Sequence, residues 1–220
     1  MQIAQQRLSI ADFRRLGALQ IYPPAALIAF ANSTEAAANA AVQAVDDSIT
    51  FGLRDLFAAQ TKLRRQLWLA RQPGVLPVEL VRHFGLLVAE EIIKRLHDEG
   101  TLDDIRLRIG LAALRAVVEH RDHLRSLERP QQAVRQAMDD HGAYAAQPAR
   151  AALGCDAVHA ALDPDGREAG VLTASRFLQL FAKVQDKPGE EETWLRDQLL
   201  ALIDRHDADI DASPTGACPL

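Results

Sequence analysis

The densest run of chemistry-bearing side chains in this 220-residue chain is Glu119-His120-Arg121-Asp122-His123. Imidazole beside carboxylate can hold a divalent metal or move protons near neutral pH. On a continuous helix, however, His120 and His123 share one face and Glu119 and His123 another, while Arg121, Arg125 and Arg129 form a basic stripe at four-residue spacing. Cations that close oppose a divalent ion, so a charged, solvated face is expected. A second basic set, Lys62, Arg64, Arg65 and Arg71, lies on one expected helix. Clustered cations of this kind bind phosphate, which makes nucleic acid a candidate partner of the two stripes. Three features weigh against it: a net charge of -5, a pI near 5.8, and only 5% aromatic residues, too few for a base-stacking platform.

Two further groups carry resemblances to known families. In Leu96-His97-Asp98-Glu99-Gly100 the adjacent His97 and Asp98 resemble the metal-holding pair of HD-superfamily phosphohydrolases. That resemblance, confined to the dipeptide and its flanks, implies metal-assisted hydrolysis. The same residues also read as a helix end, with a basic side chain near the negative terminus and a closing glycine. Further on, Asp163, Asp165 and Gly166, followed by Gly170-Val171-Leu172-Thr173 and Phe177, resemble the helix, acidic loop, short strand and helix of an EF-hand. Asp207, Asp209 and Asp211 repeat the alternating carboxylates of such a loop. Arg176 stands where the bidentate glutamate belongs, and the second stretch has Ala212 at the turn glycine and Cys218 at the last ligand position. At most the pattern describes a helix-loop-helix pair with the shape of an EF-hand and without its metal, and no cofactor is expected. Glycine-rich phosphate loops, Gly-x-Ser-x-Gly and Cys-x-x-Cys are absent from the sequence.

The elements that must position these groups read as helices. Ser9 with Asp12 is an acidic capping box, opening a helix that Pro23-Pro24 closes, and Asn32 with Glu35 opens an alanine-rich helix over 34–46. Ile49, Leu53, Leu56, Leu63 and Leu67 predict one helix running to Pro73-Gly74. The next helix starts at Pro77, ends before Gly100, and carries the pairs Glu90 with Lys94 and Glu91 with Arg95. Another starts at Thr101 and Asp104. Its apolar residues, among them Ile105, Ile109, Leu114 and Val118, cover so much of its girth that it is expected at the centre of a bundle, with Gly110 at a close helix contact. Leu87, Ile92, Ile109, Leu114 and Val118 are the expected core where these two helices meet. Further helices are predicted at 131–146 and 149–162.

The fold class is therefore all-α, an irregular bundle of about eight to ten helices. Hydrophobic residues make up 48% of the chain, enough for a core without disulfides. Residues 1–150 hold 19 Lys+Arg against 17 Asp+Glu and residues 151–220 hold 6 against 13, so residues 1–148 are expected to form the main body and 149–220 a smaller acidic module with a loose tail. Two cysteines, no visible secretory signal and no apolar run of about 18 residues predict a cytoplasmic protein without a membrane span. The expected function is a non-enzymatic interaction protein (adaptor, chaperone or assembly subunit) with another protein or a second copy as partner. An HD-type hydrolase and a nucleic-acid-associated regulator are the alternatives.

Overall fold

The computed structural model describes residues 2–3, 5–17, 50–59, 63–182 and 189–212. The closing prolines Pro23 and Pro24, the 34–46 helix, Ile49, Lys62 and Cys218 lie outside the described residues. Among those described are nine α-helices, one 3₁₀ turn and one two-stranded ribbon, in agreement with the all-α expectation. No described helix is long and apolar enough to cross a membrane. The chain divides into two compact units, Met1–Leu69 with Ile203–Leu220, and Ala70–Leu202.

In the first unit, strand β1 (Arg7–Ser9) leads directly into helix α1 (Ile10–Arg15). The capping box forms as expected: the Ser9 hydroxyl accepts from the Asp12 backbone N–H at 3.1 Å, and the Asp12 carboxylate accepts from the Ser9 N–H at 2.9 Å. Strand β2 (Thr50–Gly52) pairs antiparallel with β1, placing Leu8 opposite Phe51. Helix α2 (Leu53–Ala58) follows, then helix α3 (Leu63–Arg71). The single helix expected from Ile49 to Pro73 is thus a strand and two helices, although Leu53, Leu56, Leu63 and Leu67 are all buried as predicted. The break is stabilised by a side chain: Gln66, itself buried, donates to the carbonyls of Phe57 at 2.8 Å and Ala59 at 2.7 Å, which a helix end would otherwise leave bare. Phe13 meets Phe51 edge-on with ring centroids 5.8 Å apart. The end of helix α9 (Glu190–Ala212) belongs to this unit, where the buried Asp207 accepts from the Ile3 N–H at 2.6 Å.

The second unit is built around helix α4 (Val78–Asp98), not around the helix that follows it. Helix α4 ends in a Schellman motif: Gly100, at φ +68°, donates to His97 O at 2.9 Å and Thr101 N–H to Leu96 O at 2.8 Å. Glu91 pairs with Arg95 at 2.7 Å as expected, whereas Glu90 turns to Arg115 at 2.6 Å and Lys94 to Asp98 at 3.5 Å. Helix α5 (Ile105–Val118) is capped by the Asp104 side chain. Leu107 and Leu114 are fully buried, but Ile105 and Ile109 are 64% and 55% exposed and Leu87 and Val118 only half-buried. The expected central helix is therefore an outer one, because neighbours reach only one side of its apolar girth. Gly110 does lie at a close contact, where a Cβ would come 3.2 Å from side-chain atoms of Leu162 and Val134.

A 3₁₀ turn (Leu124–Leu127) leads to helix α6 (Glu128–Tyr144), then α7 (Pro148–Ala161) and α8 (Gly166–Phe181). Helix α8 makes the most extensive contact with α4, and α7 bridges α6 and α8. Where α4 and α8 cross, Gly85 faces Gly170, so that a Cβ on Gly85 would lie 3.0 Å from the Gly170 Cα. A Cβ on Gly170 would fall inside contact distance of the Val81 carbonyl oxygen. The boundary expected at 148 falls within this unit, where Pro148 opens α7 at its first position and its missing N–H costs nothing.

Candidate functional site

The stretch singled out by composition, 119–123, does not continue the helix. Helix α5 stops at Val118, and His120 adopts φ +57°. His120 N–H donates to Val117 O at 3.1 Å and Arg121 N–H to Ala116 O at 2.8 Å, the closing pattern usually served by glycine. A side chain in this left-handed conformation costs roughly 1 kcal/mol relative to glycine. The chain then bends, with Asp122 accepting from His123 N–H at 2.7 Å and His123 O accepting from the Ser126 hydroxyl at 2.6 Å.

This turn forms one wall of a cleft of about 840 Å³, the other being the start of α4. Val117, Val118 and Leu124 supply apolar surface, and His120, His123 and Arg125 line the same space. Glu79 and Arg82 come from α4. Arg82 is only 8% exposed. Its Nη2 donates to the Pro164 carbonyl at 2.8 Å, its Nε is buried without a partner, and its guanidinium lies against Gly166, where a Cβ would come 3.0 Å from Cζ. Burial pushes the Arg82 guanidinium below its ordinary value, opposed by the charges of Glu79, Asp165 and Asp163. Only a residue without a side chain at 166 lets this cation sit so deep.

The arginine stripe is dispersed by the same turn. Arg121 lies in the bend and pairs with Glu119, Arg125 lies in the 3₁₀ turn, and Arg129 is in the first turn of α6; all three are exposed. Arg64 is exposed and Arg65 half-buried on α3, while Arg71 pairs with Glu168 at 2.5 Å. His97 Nδ1 stands 3.8 Å from Asp103, and Asp98 takes Lys94, so the two turn to different partners.

The EF-like layout is corrected at both of its stretches. Asp163 accepts from Asp165 N–H at 2.8 Å, and Asp165 caps α8 by accepting from Arg167 N–H at 3.0 Å. Val171-Leu172-Thr173 is helical, and Gly170 serves the helix crossing. Asp207, Asp209 and Asp211 lie on α9, where Asp207 and Asp211 hold the first residues of the chain through Ile3 and Gln2. Among the described residues no group of three or more His, Cys, Asp or Glu side chains is placed to hold a metal ion.

The structure also assembles a polar cluster around Asp104, a residue that the sequence marks only as part of a helix start. Asp104, whose side chain is 8% exposed, takes Arg106 Nη2 at 2.7 Å and His141 Nε2 at 3.0 Å, and Arg106 Nη1 reaches Asp140 at 2.7 Å. The Arg106 side-chain hydrogen bonds, against the cost of burial and helped by the Arg106 N–H and His141, hold the Asp104 carboxyl down from 3.8 to about 2. Nearby Cys155 is buried, and burial first, then the Asp104 charge, push its thiol up to about 12, which keeps it protonated and unreactive at neutral pH. Because the folded state lowers the Asp104 value, the stabilisation is complete above its unfolded value and is lost as pH falls through the folded one. The cluster is thus expected to contribute about 2 kcal/mol at neutral pH, lost between about pH 4 and pH 2. Urea unfolding of Asp104→Asn should show that loss already at pH 7 and a flatter acid limb; an acid limb as steep as that of the parent chain would refute the assignment.

Set against known proteins, the chain matches no family model, no curated protein and no solved structure.

Proposed function

We propose that this chain is a non-enzymatic helical interaction protein of the assembly-subunit kind, working through the outward face of α5. The observation that carries the reading is the row Ile105, Ile109, Ala112 and Ala116, which follows helical spacing opposite the buried Leu107 and Leu114. Fully burying an isoleucine is worth about 1.5 to 3 kcal/mol, so the two exposed isoleucines favour a surface that covers them. The occupant is a second copy of the chain. Two antiparallel α5 helices related by a two-fold axis would set Ile105 against Ala116 and Ile109 against Ala112, large against small at every level. Arg108 and Arg115, which flank the row, are already paired with Asp103 and Glu90, so like charges need not meet unshielded. The hydrolase alternative has less support, since His97 and Asp98 are each engaged elsewhere.

A row of this length spans only about 17 Å, which places the association in the weak class. Sedimentation equilibrium should therefore reveal a monomer–dimer equilibrium with a dissociation constant of order 100 μM. Ile109→Glu, at an exposed position, should leave thermal unfolding unchanged and abolish the dimer. A parent chain that remains monomeric up to about 1 mM overturns the proposal.

A further inference from the structure

We infer that the cleft at the end of α5 is a binding site for a small organic oxyanion, a carboxylate or phosphate monoester with an apolar body, held between Arg82 and Arg125. The inference begins with pairing. Arg95, Arg106, Arg115, Arg150 and Arg176 of the same unit each meet a carboxylate within ion-pair distance. Among the described residues Arg82, more deeply buried than any of these, meets none within that distance, and its one side-chain hydrogen bond goes to the Pro164 carbonyl, which carries no charge. Glu79, Asp163 and Asp165 act on this cation only from beyond ion-pair distance, so its burial is incompletely compensated, and a planar guanidinium fits an oxyanion with two parallel donors. Nη1 and the second Nη2 hydrogen remain for that task, on a residue that lines the cleft. Arg125 stands exposed on the rim with no protein partner among the described residues, so its charge is available to the same ligand.

The rest of the cleft selects for size and character. A volume of about 840 Å³ is in the range of sites for small organic molecules. Val117, Val118 and Leu124 offer apolar contact beyond the arginines. His120, held at φ +57°, brings its imidazole, a further hydrogen-bonding group, to the lining of the same cleft. Glu79 and Asp122 are the acids in the cleft, and Asp122 is partly occupied by the His123 N–H. Glu79 is the group that opposes an anion.

The test uses the full chain, with phenyl phosphate, benzoate and uncharged benzyl alcohol as probes, read by backbone amide NMR shifts over residues 117–126 and by Tm. Phenyl phosphate or benzoate should bind with a dissociation constant of about 1 mM or tighter and raise Tm, and benzyl alcohol should not. Tighter binding of phenyl phosphate assigns a phosphate monoester, and the reverse a carboxylate. Arg125→Ala should weaken binding about tenfold, Glu79→Gln should strengthen it, and Arg82→Gln should remove it. Since Arg82 also holds the Pro164 carbonyl, the Arg125 and Glu79 variants, whose side chains carry no such bond, decide the matter if Arg82→Gln does not fold. Equal responses to benzyl alcohol and the anions, no response to any probe at about 10 mM, or affinities unchanged in Arg125→Ala and Glu79→Gln each overturn the inference.

Discussion

Gly170→Val should destabilise the protein by about 3 kcal/mol or more, among the largest effects expected of any single substitution in the chain. The reason is the identity of the obstructing atom. A flexible side-chain tip can swing aside, but the Cβ at 170 meets the backbone of α4, with the Val81 carbonyl carbon only 3.2 Å away and its oxygen nearer still. Relief requires moving α8 off α4, and with it the Gly85 contact and the stacking of Phe177 on Trp194 at 5.0 Å. The Arg95 guanidinium, 5.0 Å above the Phe177 ring, would lose its seat as well. Gly142→Ala on α6 is the matched control, because there a Cβ finds only the Ala152 methyl, at 3.8 Å. That change should be neutral or stabilising by up to about 1 kcal/mol, the helix propensity difference. Urea midpoints of the two variants measure the contrast directly, and a loss below about 1 kcal/mol at position 170 would mean that the two helices do not cross as closely as described.

A fragment ending at Pro148 should fail to unfold cooperatively. Charge distribution and prolines suggest that residues 1–148 could stand alone, but α4 lies against α8 and α7, and both are beyond the cut. The fragment would expose Val81 and Leu96, which are 1% and 0% exposed in the whole chain, together with the α6 residues Val134 and Ala137 on the side that α7 covers. Each large apolar side chain uncovered costs about 1.5 to 3 kcal/mol, so the loss of several is comparable to the roughly 5 to 15 kcal/mol that hold a domain folded. The first unit would also lose Ile203 and the Asp207 carboxylate that accepts from Ile3. Circular dichroism of the fragment on heating should show a broad, non-cooperative loss of helix. A sharp transition with native-like helix content would restore Pro148 as a true boundary.

Several signals confined to a few neighbouring residues were legible in the sequence, although the expected Glu90–Lys94 pair gives way to Arg115 and Asp98. The Ser9 and Asp12 capping box, the closing glycine at 100 and the Glu91–Arg95 pair all form, since each depends on groups that reach their partners within about one helical turn, whereas the helix expected from Thr101 begins at Ile105 with Asp104 itself as the cap. The all-α class follows from the same local consistency. Near helix ends the local signals compete, and there tertiary context decides. Histidine tolerates the left-handed region better than most side chains but gives only a weak signal of it at position 120, and Gln66 supports a helix break several residues before it by reaching carbonyls that only the fold brings near.

Which face of α5 is buried could not be read from composition, because the helix is apolar on both sides; the positions of α4, α6 and α7 settle it and leave Ile105 and Ile109 outward. Gly85 and Gly170 are unremarkable in sequence, and they become a helix crossing only when two distant segments meet. Arg82 carried no signal in its neighbourhood either. Its burial is a property of Gly166 and Pro164, which lie on another part of the chain. The sequence by itself determined the all-α class and those helix ends that carry a complete local cap, such as Ser9 with Asp12 and the turn at Gly100, since such caps are a short-range matter of unpaired backbone groups. Only the tertiary structure decided which faces, glycines and charges meet, because burial and pairing depend on residues far apart in the chain.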